Sequence, residues 1–407
     1  MSEAKIEYIP KEEWSQWHTE LLQSTLNRLY QRVPFYREKF EVLGILPEDL
    51  KSPNDLVRFP LTTREDLSAH YPYDLFAVPL RDIVRLHSLP WLPNPIVKGF
   101  TIQDVENLKK LNLRFLSTCG LGREDILLIT LEPGMGVWIE EIKEAAEAIG
   151  ATVIPPAPRS PELSLRILKD FRATVWVSTP SLVAHFMKVA EGKGLSPPES
   201  LRLIILVGEE LKSSDRTRIE EFFGAETRLG YGIAEVLGPG MAYECEARNG
   251  LHLAADYLYP EVLAPETGEP AEEGELILTT LKVRANPLLR FRTGDKVRLT
   301  WEPCACGRTT PRLLAIEAQT RDRLSYRGVK IHLRVLEDLM LKVFGLKPRY
   351  RLKITGKEPA TELRLEIVME EKLFLPSIVE LHEEAHGFER AFWEFFGIPC
   401  RVKWVES

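Results

Sequence analysis

The sequence Gly230-Tyr231-Gly232-Ile233-Ala234-Glu235 opens the most informative stretch of this chain, residues 228–312. The same stretch continues through Glu244-Cys245 and Gly250-Leu251-His252. It then reaches Phe291-Arg292-Thr293-Gly294-Asp295 and closes with Cys304-Ala305-Cys306-Gly307-Arg308. The remainder of the chain has the character of a scaffold for this region.

The composition is that of an ordinary globular protein. The 407 residues suffice for two or three domains, and 44% of them are hydrophobic and 28% charged. The formal net charge is −7, and lysines and arginines are dispersed among the acidic residues without forming a basic stripe. A nucleic-acid partner is therefore not expected.

The terminal sequence and the cysteines predict a compartment. The N-terminus lacks the basic start and apolar core of a signal peptide, and no uninterrupted apolar run reaches roughly 18 residues, so no membrane partner is expected. The chain has five cysteines, three of them clustered in the central stretch. This pattern favours metal binding in a reducing compartment over a disulfide framework, so the expected location is the cytoplasm.

Hydrophobic periodicity predicts an α/β fold. Strands are expected at 126–130, 151–155, 173–178 and 202–207, with helices at 136–149, 160–171 and 181–192 between them. Such alternation indicates βαβ units and a largely parallel sheet. Ligands bind at the carboxyl ends of strands in these sheets. We therefore place Thr179-Pro180-Ser181 and Gly208-Glu209-Glu210 on the functional rim.

The flanking segments predict the remaining parts. Residues 12–40 form a helical lead-in that Pro34 interrupts, and Thr63 precedes Asp66 as in a capping box. Residues 250–300 have antiparallel, barrel-like character. Residues 321–407 resemble the ferredoxin-like arrangement. The predicted order is strand (324–331), helix (333–344), strand (349–355), strand (362–369), helix (376–394) and strand (399–405). The predicted domains are thus 1–320, which is large, and 321–407, which is a small α+β unit.

The motifs resemble those of the phenylacetate–CoA ligase branch of the adenylate-forming enzymes. The similarity runs from about Val33 to Ile331, and the matches are specific when taken together. They are Val33-Pro34-Phe35-Tyr36, Phe76-Ala77-Val78-Pro79, Gly150-Ala151-Thr152-Val153-Ile154-Pro155, Thr179-Pro180-Ser181, Gly230-Tyr231-Gly232, Leu237-Gly238-Pro239-Gly240, Glu244-Cys245, Gly250-Leu251-His252 and Arg327-Gly328-Val329.

This resemblance implies a two-step reaction. ATP and a carboxylic acid give an acyl-adenylate, and the thiol of coenzyme A then displaces AMP. It also implies the adenylate-forming fold, in which a small C-terminal domain swings between the two half-reactions. The resembled ligases are often homodimers.

The resemblance also implies a nucleotide site. Tyr231 would stack on adenine, Asp295 would accept hydrogen bonds from the ribose, and Glu235 would help to hold Mg²⁺. Glu210 matches the acid of a Gly-Ala-Glu turn beside the nucleotide. In the alternative interpretation, Tyr231 and Asp295 are well-packed turn residues. The predicted nucleotide-binding residues are Tyr231, Gly232, Glu210, Asp295, Arg292 and Lys98, with Glu235 as the catalytic residue.

Four residues of the central stretch form a candidate zinc site. Zinc favours four tetrahedral thiolate or imidazole ligands in structural sites, and the Cys-x-Cys-Gly-Arg turn resembles a metal knuckle. Several members of the resembled family carry the same ligands for a structural zinc. A full set leaves no open position for water. The alternative is a set of buried, reduced cysteines with a surface histidine, and Cys119 and Cys400 are predicted core residues. The candidate ligands are Cys245, His252, Cys304 and Cys306.

The family's phosphate loop is not recognisable in this chain. In the family a Ser/Thr/Gly-rich segment followed by Lys-Pro cradles the ATP phosphates. The aligned segment here, residues 87–99, contains three prolines without N–H donors and the apolar residues Leu89, Trp91 and Leu92. Lys98 could supply one charge, although a lone lysine is more often solvated.

Further departures concern the same chemistry. Ala234 stands where the family usually has a hydroxyl residue for the α-phosphate, and Gln319 replaces a hinge arginine. Glu209 replaces an alanine of the Gly-Ala-Glu turn. The family's catalytic lysine lies beyond the last strand, yet this sequence stops at Ser407, so the small domain is expected to be truncated. One lost electrostatic contact raises a barrier by about 2.7–4 kcal/mol, so we expect impaired adenylation.

Three hypotheses follow. The first is an acid–CoA ligase relative that keeps the adenosine side of its site, binds AMP, an acyl-adenylate or a CoA-type ligand, and adenylates poorly. The second is an active AMP-forming ligase in which Lys98 or a conformational change replaces the missing groups. The third is a non-catalytic interaction module on the same fold. Residues 134–138 are predicted to line the acyl pocket, but nothing in the sequence names the acid.

Overall fold

The computed structural model describes residues 3–91, 93–132, 135–154, 161–318, 323–327, 329–356, 362–369 and 378–406. The chain divides into two compact units. The first comprises Met1–Arg123, Glu140–Ala151 and Arg228–Thr320, and the second comprises Glu124–Ile139, Thr152–Thr227 and Arg321–Ser407. The domain boundary expected between residues 320 and 321 and the departure at Gln319 lie in residues 319–322, outside the described residues, and stay predictions.

Helices and strands alternate between residues 102 and 223, as the βαβ pattern requires. The helices are α1 (Lys11–Arg32), α2 (Pro34–Leu43), α3 (Arg64–Ala69), α4 (Ile102–Cys119), α5 (Gly136–Ile149), α6 (Pro161–Asp170), α7 (Pro180–Lys193), α8 (Ser213–Phe223), α9 (Leu333–Phe344) and α10 (Ile378–Phe396). The strands are β1 (Arg85–Leu89), β2 (Ile96–Phe100), β3 (Ile126–Thr130), β4 (Thr152–Ile154), β5 (Val175–Ser178), β6 (Leu203–Val207), β7 (Glu226–Ile233), β8 (Leu237–Glu244), β9 (Leu251–Leu253), β10 (Leu258–Leu263), β11 (Glu273–Thr280), β12 (Phe291–Thr300), β13 (Arg312–Ala318), β14 (Arg323–Tyr326), β15 (Val329–His332), β16 (Tyr350–Thr355), β17 (Glu362–Met369) and β18 (Arg401–Glu406).

An antiparallel array forms the centre of the first unit. Its strand order is β10-β11-β12-β13-β9-β8-β7, and neighbouring strands pair antiparallel throughout. Helix α4 packs against β8 and buries Leu111 and Phe115 completely. The antiparallel character predicted for residues 250–300 is therefore confirmed.

The helical lead-in of the first unit consists of two helices. Val33 is extended, with φ −120° and ψ 102°, and Pro34 starts α2, where a proline sacrifices no helical hydrogen bond. The predicted capping box is present at α3, because Asp66 N donates to Thr63 Oγ1 and Thr63 N donates to Asp66 Oδ2. Strands β1 and β2 form a separate antiparallel hairpin.

A parallel array forms part of the second unit. Its strand order is β6-β5-β3-β4, with parallel pairing between neighbours. Every residue of β5 and β6 is buried, as expected for strands covered on both faces. The parallel sheet predicted from the strand–helix alternation is therefore confirmed, and with it the α/β fold class.

The end of the chain differs in one respect from the prediction. One strand was expected at 324–331, but the structure has the hairpin β14–β15 there. The physical reason is Arg327, whose left-handed φ of 50° reverses the chain. Strands β16, β17 and β18 form a three-stranded sheet, whereas a ferredoxin-like sheet has four strands.

Every helix that the structure describes is too short or too polar for a transmembrane span.

Candidate nucleotide and metal sites

A β-hairpin presents the motif of residues 231–235. Strands β7 and β8 pair with a register shift between Tyr231 and Ile233. A Cβ atom on Gly232 would lie 2.4 Å from the carbonyl oxygen of Gly238. Only glycine permits this close approach of the two strands, so backbone packing accounts for Gly232 without any ligand. Its nucleotide-binding role stays a prediction.

Tyr231 and Asp295 meet directly. The Tyr231 hydroxyl donates to Asp295 Oδ2 at 2.7 Å. Asp295 is 2% exposed, and its own N–H donates to Thr293 Oγ1 at 3.1 Å. The structure therefore brings together the two residues predicted to bind adenine and ribose, and it joins them by a hydrogen bond. Their nucleotide-binding roles stay predictions.

Glu235 has a cationic partner that the sequence does not reveal. Arg64 Nε donates to Glu235 Oε1 at 2.5 Å, and Arg64 Nη1 donates to the Thr293 carbonyl at 3.1 Å. Arg64 is only 6% exposed, which is rare for an arginine without a partner. No spacing rule links residues 171 positions apart. The structure thus neutralises the Glu235 carboxylate with a protein group, and its role as a Mg²⁺ ligand stays a prediction.

Lys98 lies inside the protein, so the expectation of a solvated lysine is wrong. It is 5% exposed, and its Nζ donates to the Val236 carbonyl at 2.8 Å. The reason is its inward position on β2, where Nζ also lies 5.2 Å from the Phe100 ring centroid. Burial lowers the pKa of Lys98 to about 8, although the carboxylates of Glu141 and Glu235 oppose this shift.

Glu141 of α5 is a second buried titratable group in this region. It is 4% exposed, and its Oε2 has no hydrogen-bond partner among the described residues. A Cβ atom on Gly238 would lie 1.8 Å from this oxygen, so the carboxylate rests directly on the backbone there. Burial raises the pKa of Glu141 to about 8, with Lys98 opposing the shift. The sequence does not single it out, because α5 contains several acidic residues.

Lys98 and Glu235 line a common cavity. It has about 10 Å³ of enclosed space, and His70 and Asn286 also line it. This volume is about what one water molecule needs. Asn286 is 6% exposed, and its Oδ1 has no hydrogen-bond partner among the described residues. The cavity therefore offers an acceptor to a small polar group.

The loop between β1 and β2, residues 90–95, is attached to α3. Ser68 Oγ donates to the Asn94 carbonyl at 2.7 Å, and Asn94 N donates to Ser68 Oγ at 3.1 Å. Asn94 Nδ2 also donates to the Ser68 carbonyl at 3.2 Å. Trp91 is 6% exposed. Pro90, Pro93 and Pro95 have no N–H, and the Asn94 amide is already bonded, so these four positions offer no amide to an anion.

Two other predicted nucleotide ligands are exposed. In the first unit, Arg292 Nη2 donates to Glu275 Oε2 at 2.5 Å, and this hydrogen bond raises the pKa of Arg292. In the second unit, Glu210 is exposed after β6. Its neighbour Glu209 accepts hydrogen bonds from Ser181 N and Oγ, both at 2.8 Å, at the positive end of α7. The roles of Arg292 and Glu210 stay predictions.

The four predicted zinc ligands converge. Their ligand atoms all lie within 4.8 Å of one another. The sulfurs of Cys245 and Cys304 are 3.8 Å apart, and Cys306 Sγ is 3.4 Å from His252 Nε2. With Zn–S of about 2.3 Å and Zn–N of about 2.0 Å, tetrahedral zinc needs about 3.8 Å between sulfurs and about 3.5 Å between sulfur and nitrogen. The donor set therefore fits a structural zinc.

Strand pairing explains this convergence. His252 on β9 lies between Tyr243 of β8 and Arg312 of β13, and Cys245 immediately follows β8. Cys304 and Cys306 lie in the turn between β12 and β13. The turn closes because the N–H of the next residue, Gly307, donates to the Cys304 carbonyl at 2.9 Å.

The second nitrogen of His252 is also held. Nδ1 lies 3.0 Å from Thr310 Oγ1, and a donating Nδ1 leaves the Nε2 lone pair directed at Cys306. Burial, together with Arg308 and Arg312, lowers the pKa of His252 to about 3. The imidazole is therefore neutral at pH 7, as metal binding requires. The predicted core residues Cys119 and Cys400 are each 3% exposed, which confirms their burial.

The turn that carries Cys304 and Cys306 also holds the N-terminal segment. Arg308 Nε donates to Glu7 Oε2 at 3.1 Å, and the Tyr243 hydroxyl donates to Glu7 Oε1 at 2.6 Å. Thr309 N donates to the Glu7 carbonyl at 2.8 Å. Glu7 is 3% exposed, and nothing in its sequence context signals this role. One short segment thus contributes two candidate metal ligands and holds the N-terminal segment.

In the predicted acyl-pocket segment, residues 134–138, Gly134 lies outside the described residues. Met135 and Trp138 are buried, with exposures of 6% and 7%. A position in the protein core and a position in an acyl pocket explain this burial equally well. The acyl-pocket assignment therefore stays a prediction.

Comparison with known proteins gives these sites a context. The sequence model of the AMP-binding enzyme family matches residues 144–283. The phenylacetate-coenzyme A ligase of Thermus thermophilus is 34% identical over 380 residues, which cover 92% of this chain and 85% of that protein. The phenylacetate-coenzyme A ligase of Escherichia coli is 33% identical over 386 residues, covering 93% and 87%.

Solved structures agree with these sequence matches. A 2-hydroxyisobutyryl-CoA ligase in complex with 2-HIB-AMP and CoA matches with a TM-score of 0.89 and 25% identity, covering 99% of this chain and 88% of that one. The amide bond synthetase McbA from Marinactinospora thermotolerans matches with a TM-score of 0.55 and 15% identity over 80% and 66% of the two chains. The second match concerns the fold alone.

Proposed function

Because this chain belongs to the phenylacetate–coenzyme A ligase family of adenylate-forming enzymes, we propose that it binds a small carboxylic acid, an adenine nucleotide and coenzyme A. Within this chemistry, the adenosine side of the site is retained and ATP-dependent formation of the acyl-adenylate is weak. The chain is an acid–CoA ligase relative whose nucleotide preference has moved from ATP toward AMP-containing ligands.

The observation that carries this proposal is the attachment of the β1–β2 loop to α3. A phosphate-binding loop needs amides that point toward an anion. Here the Asn94 amide donates to Ser68 Oγ, and the prolines supply no amide. Each preorganised contact of this kind lowers a barrier by about 2.7–4 kcal/mol. A site without these contacts is expected to adenylate slowly.

The adenosine side supports the retention of nucleotide binding. Tyr231 offers an aromatic ring, and Asp295 offers a carboxylate that already accepts a hydroxyl hydrogen bond at 2.7 Å. A ribose hydroxyl is a donor of the same kind, so it can donate the same type of hydrogen bond to Asp295. ATP, when bound, would supply the adenylyl group, and pyrophosphate would leave. The chain's own residues would hold the base and sugar.

We assign the Cys245, His252, Cys304 and Cys306 cluster to a structural Zn²⁺. Its dimensions support this assignment, since the separations of 3.8 Å and 3.4 Å fit tetrahedral coordination. Four protein ligands leave no position for substrate, so this ion would take no part in the chemistry. We also propose that residues 321–407 act as the mobile small domain that the family uses between its half-reactions.

Titration calorimetry tests the nucleotide preference. The loop leaves hydrogen bonds to the outer phosphates of ATP unmade, and one such charge-assisted hydrogen bond accounts for about 1.5–3 kcal/mol. AMP lacks these phosphates, so it is expected to bind at least about tenfold more tightly than ATP. The matched variant is Asp295→Asn, which keeps the size of the side chain and removes its charge. This variant should weaken AMP binding. Absence of binding for AMP, ATP and coenzyme A alike would contradict the proposal and favour an interaction module.

Pyrophosphate release in the presence of an aryl acid tests the chemistry. Ordinary enzymes turn over at about 1 s⁻¹ or faster. The native chain should release pyrophosphate at a rate far below this value. Replacement of residues 89–94 by Ser-Gly-Thr-Thr-Gly-Lys, which restores hydroxyls, glycines and a Lys-Pro sequence, should raise the rate by about 100-fold. Replacement of the same residues by Ala-Gly-Ala-Ala-Gly-Ala is the control. Fast release by the native chain would establish an active ligase instead.

A further inference from the structure

Helix α10 carries two exposed histidines one turn apart. His382 and His386 have ring centroids separated by 5.9 Å and ring planes inclined by 33°. Residues four positions apart lie on one face of a helix. The segment His382-Glu383-Glu384-Ala385-His386 has the His-Glu-x-x-His spacing, in which two helical histidines bind one zinc ion. The pair therefore has the arrangement of a chelate.

The separation of the two rings is close to that of a metal-bound pair. Two imidazoles bound to one ion through nitrogens about 2.0 Å from it have centroids about 5 Å apart. The observed separation is 5.9 Å. The His386 side chain is 66% exposed, and His382 is exposed as well. Small rotations of free side chains are therefore enough to bring both rings to one ion.

A carboxylate stands behind one of the two rings. His386 Nδ1 lies 3.5 Å from Glu389 Oε2. Glu389 is itself fixed, because Arg401 Nη1 donates to it at 3.2 Å and Val402 N donates to it at 3.0 Å. A histidine that directs one nitrogen at a fixed carboxylate presents the other nitrogen to a metal, and the carboxylate strengthens the ligand. This contact sets Nε2 of His386 for metal binding.

We propose that His382 and His386 form an exchangeable surface site for a late first-row divalent cation, Ni²⁺, Cu²⁺ or Zn²⁺. Imidazole nitrogens favour these ions, whereas Mg²⁺ and Ca²⁺ take oxygen ligands. Two protein ligands leave the other positions to water or to a second ligand. The site shares no residue with the Cys–His cluster, and with fewer ligands it holds its ion less tightly.

Calorimetry with Ni²⁺ on the zinc-loaded, full-length chain tests this site. The native chain should bind one Ni²⁺ that His382→Ala and His386→Ala each fail to bind. Glu389→Gln should weaken this binding by about 10- to 100-fold, as loss of a supporting carboxylate does elsewhere. The matched control is Glu384→Gln, an exposed neighbour two positions from each histidine, which should bind Ni²⁺ normally.

A second measurement identifies the ligands directly. In proton NMR spectra, paramagnetic Ni²⁺ should broaden the imidazole resonances of His382 and His386 before those of the buried His18. Circular dichroism confirms that the variants are folded, and exposed substitutions of this kind change stability by only about 0.5 kcal/mol. Two results would overturn the proposal. One is a native chain with no Ni²⁺ isotherm, and the other is an isotherm that survives in both histidine variants.

Discussion

The Cys–His cluster and the Tyr231–Asp295–Glu235 cluster lie in the same compact unit, but they are built in opposite ways. In the first, four donor atoms turn toward one another within 4.8 Å. In the second, Tyr231 is bonded to Asp295 at 2.7 Å and Glu235 to Arg64 at 2.5 Å. Convergent donors are arranged to receive an ion from outside the chain, whereas self-paired groups must exchange bonds to take a ligand. The proposed metal should therefore dominate the free energy of unfolding, and nucleotide binding should show small, competing effects.

The largest effect is expected for Cys304→Ala. Because a preassembled metal site exists only in the folded state, metal affinity is folding free energy. We expect the free energy of unfolding to fall by about 4 kcal/mol or more, the range typical of losing a metal. Urea unfolding with and without a chelator measures this loss.

The control for this variant is Cys119→Ala, which removes a cysteine that is buried (3% exposed) but belongs to no cluster. It should reduce the free energy of unfolding by about 1 kcal/mol and keep its response to a chelator. If a chelator leaves the unfolding curve of the native chain unchanged, the converging cysteines are ordinary core residues. That result would contradict the comparison.

The next effect concerns the ion pair beside the cluster. The Arg308 and Glu7 side chains are 10% and 4% exposed and 3.1 Å apart. Arg308→Ala should cost about 3 kcal/mol in unfolding free energy, since removing one partner leaves a buried charge uncompensated. Hydrogen exchange should also rise in residues 3–14. The double variant Glu7→Gln with Arg308→Met should recover part of the loss, and equal stability of the single and double variants would argue against a coupled pair.

Local signals explain what could be predicted from the sequence. The parallel strands, most helices and the capping box at Thr63 follow from periodicity and spacing over a few residues. The four candidate zinc ligands, whose donor atoms converge, follow from the Cys-x-Cys turn and from the family resemblance. The divided strand around Arg327 escapes prediction, because a left-handed arginine, with φ 50°, has no sequence signal of its own.

The remaining parts of the candidate site depend on distant contacts. Arg64 meets Glu235 across 171 positions, and Glu7 meets Arg308 across 301. Charged residues are usually solvated, so composition favours the wrong interpretation for each of them. Only tertiary packing decides which charges are buried together. The same holds for Lys98, whose inward direction on β2 is invisible in a short strand without strict alternation.

The third effect is a pH dependence from Lys98 and Glu141. Burial raises the pKa of Glu141 from 4.5 to about 8, so its contribution to stability is present below pH 4.5 and is lost as the pH rises toward 8. Burial lowers the pKa of Lys98 from 10.5 to about 8, so its contribution is present above pH 10.5 and is lost as the pH falls toward 8. The pair therefore predicts a stability minimum near pH 8.

Glu141→Gln tests this pair. The variant should flatten the decline in unfolding free energy between pH 5 and pH 8 by about 3 kcal/mol, since one pKa unit corresponds to about 1.4 kcal/mol. Glu140→Gln, an exposed neighbour on the same helix, should leave the decline unchanged. If both variants show the native slope, then Glu141 does not titrate with folding and the buried-charge interpretation fails.

The smallest effect is expected for Tyr231→Phe, and it bears most directly on the opening comparison. The variant removes one hydroxyl bonded to Asp295 and keeps the ring, so it should cost about 1 kcal/mol of stability. AMP affinity should stay within about tenfold of native, because the ribose competes with this hydroxyl for the same carboxylate and no longer has to displace it. Calorimetry with AMP measures the result.

An AMP affinity lower than native by more than about tenfold would mean that the Tyr231 hydroxyl itself contacts the nucleotide. In that case the Tyr231–Asp295 pair would be part of a prepared binding site, and the contrast with the metal cluster would disappear.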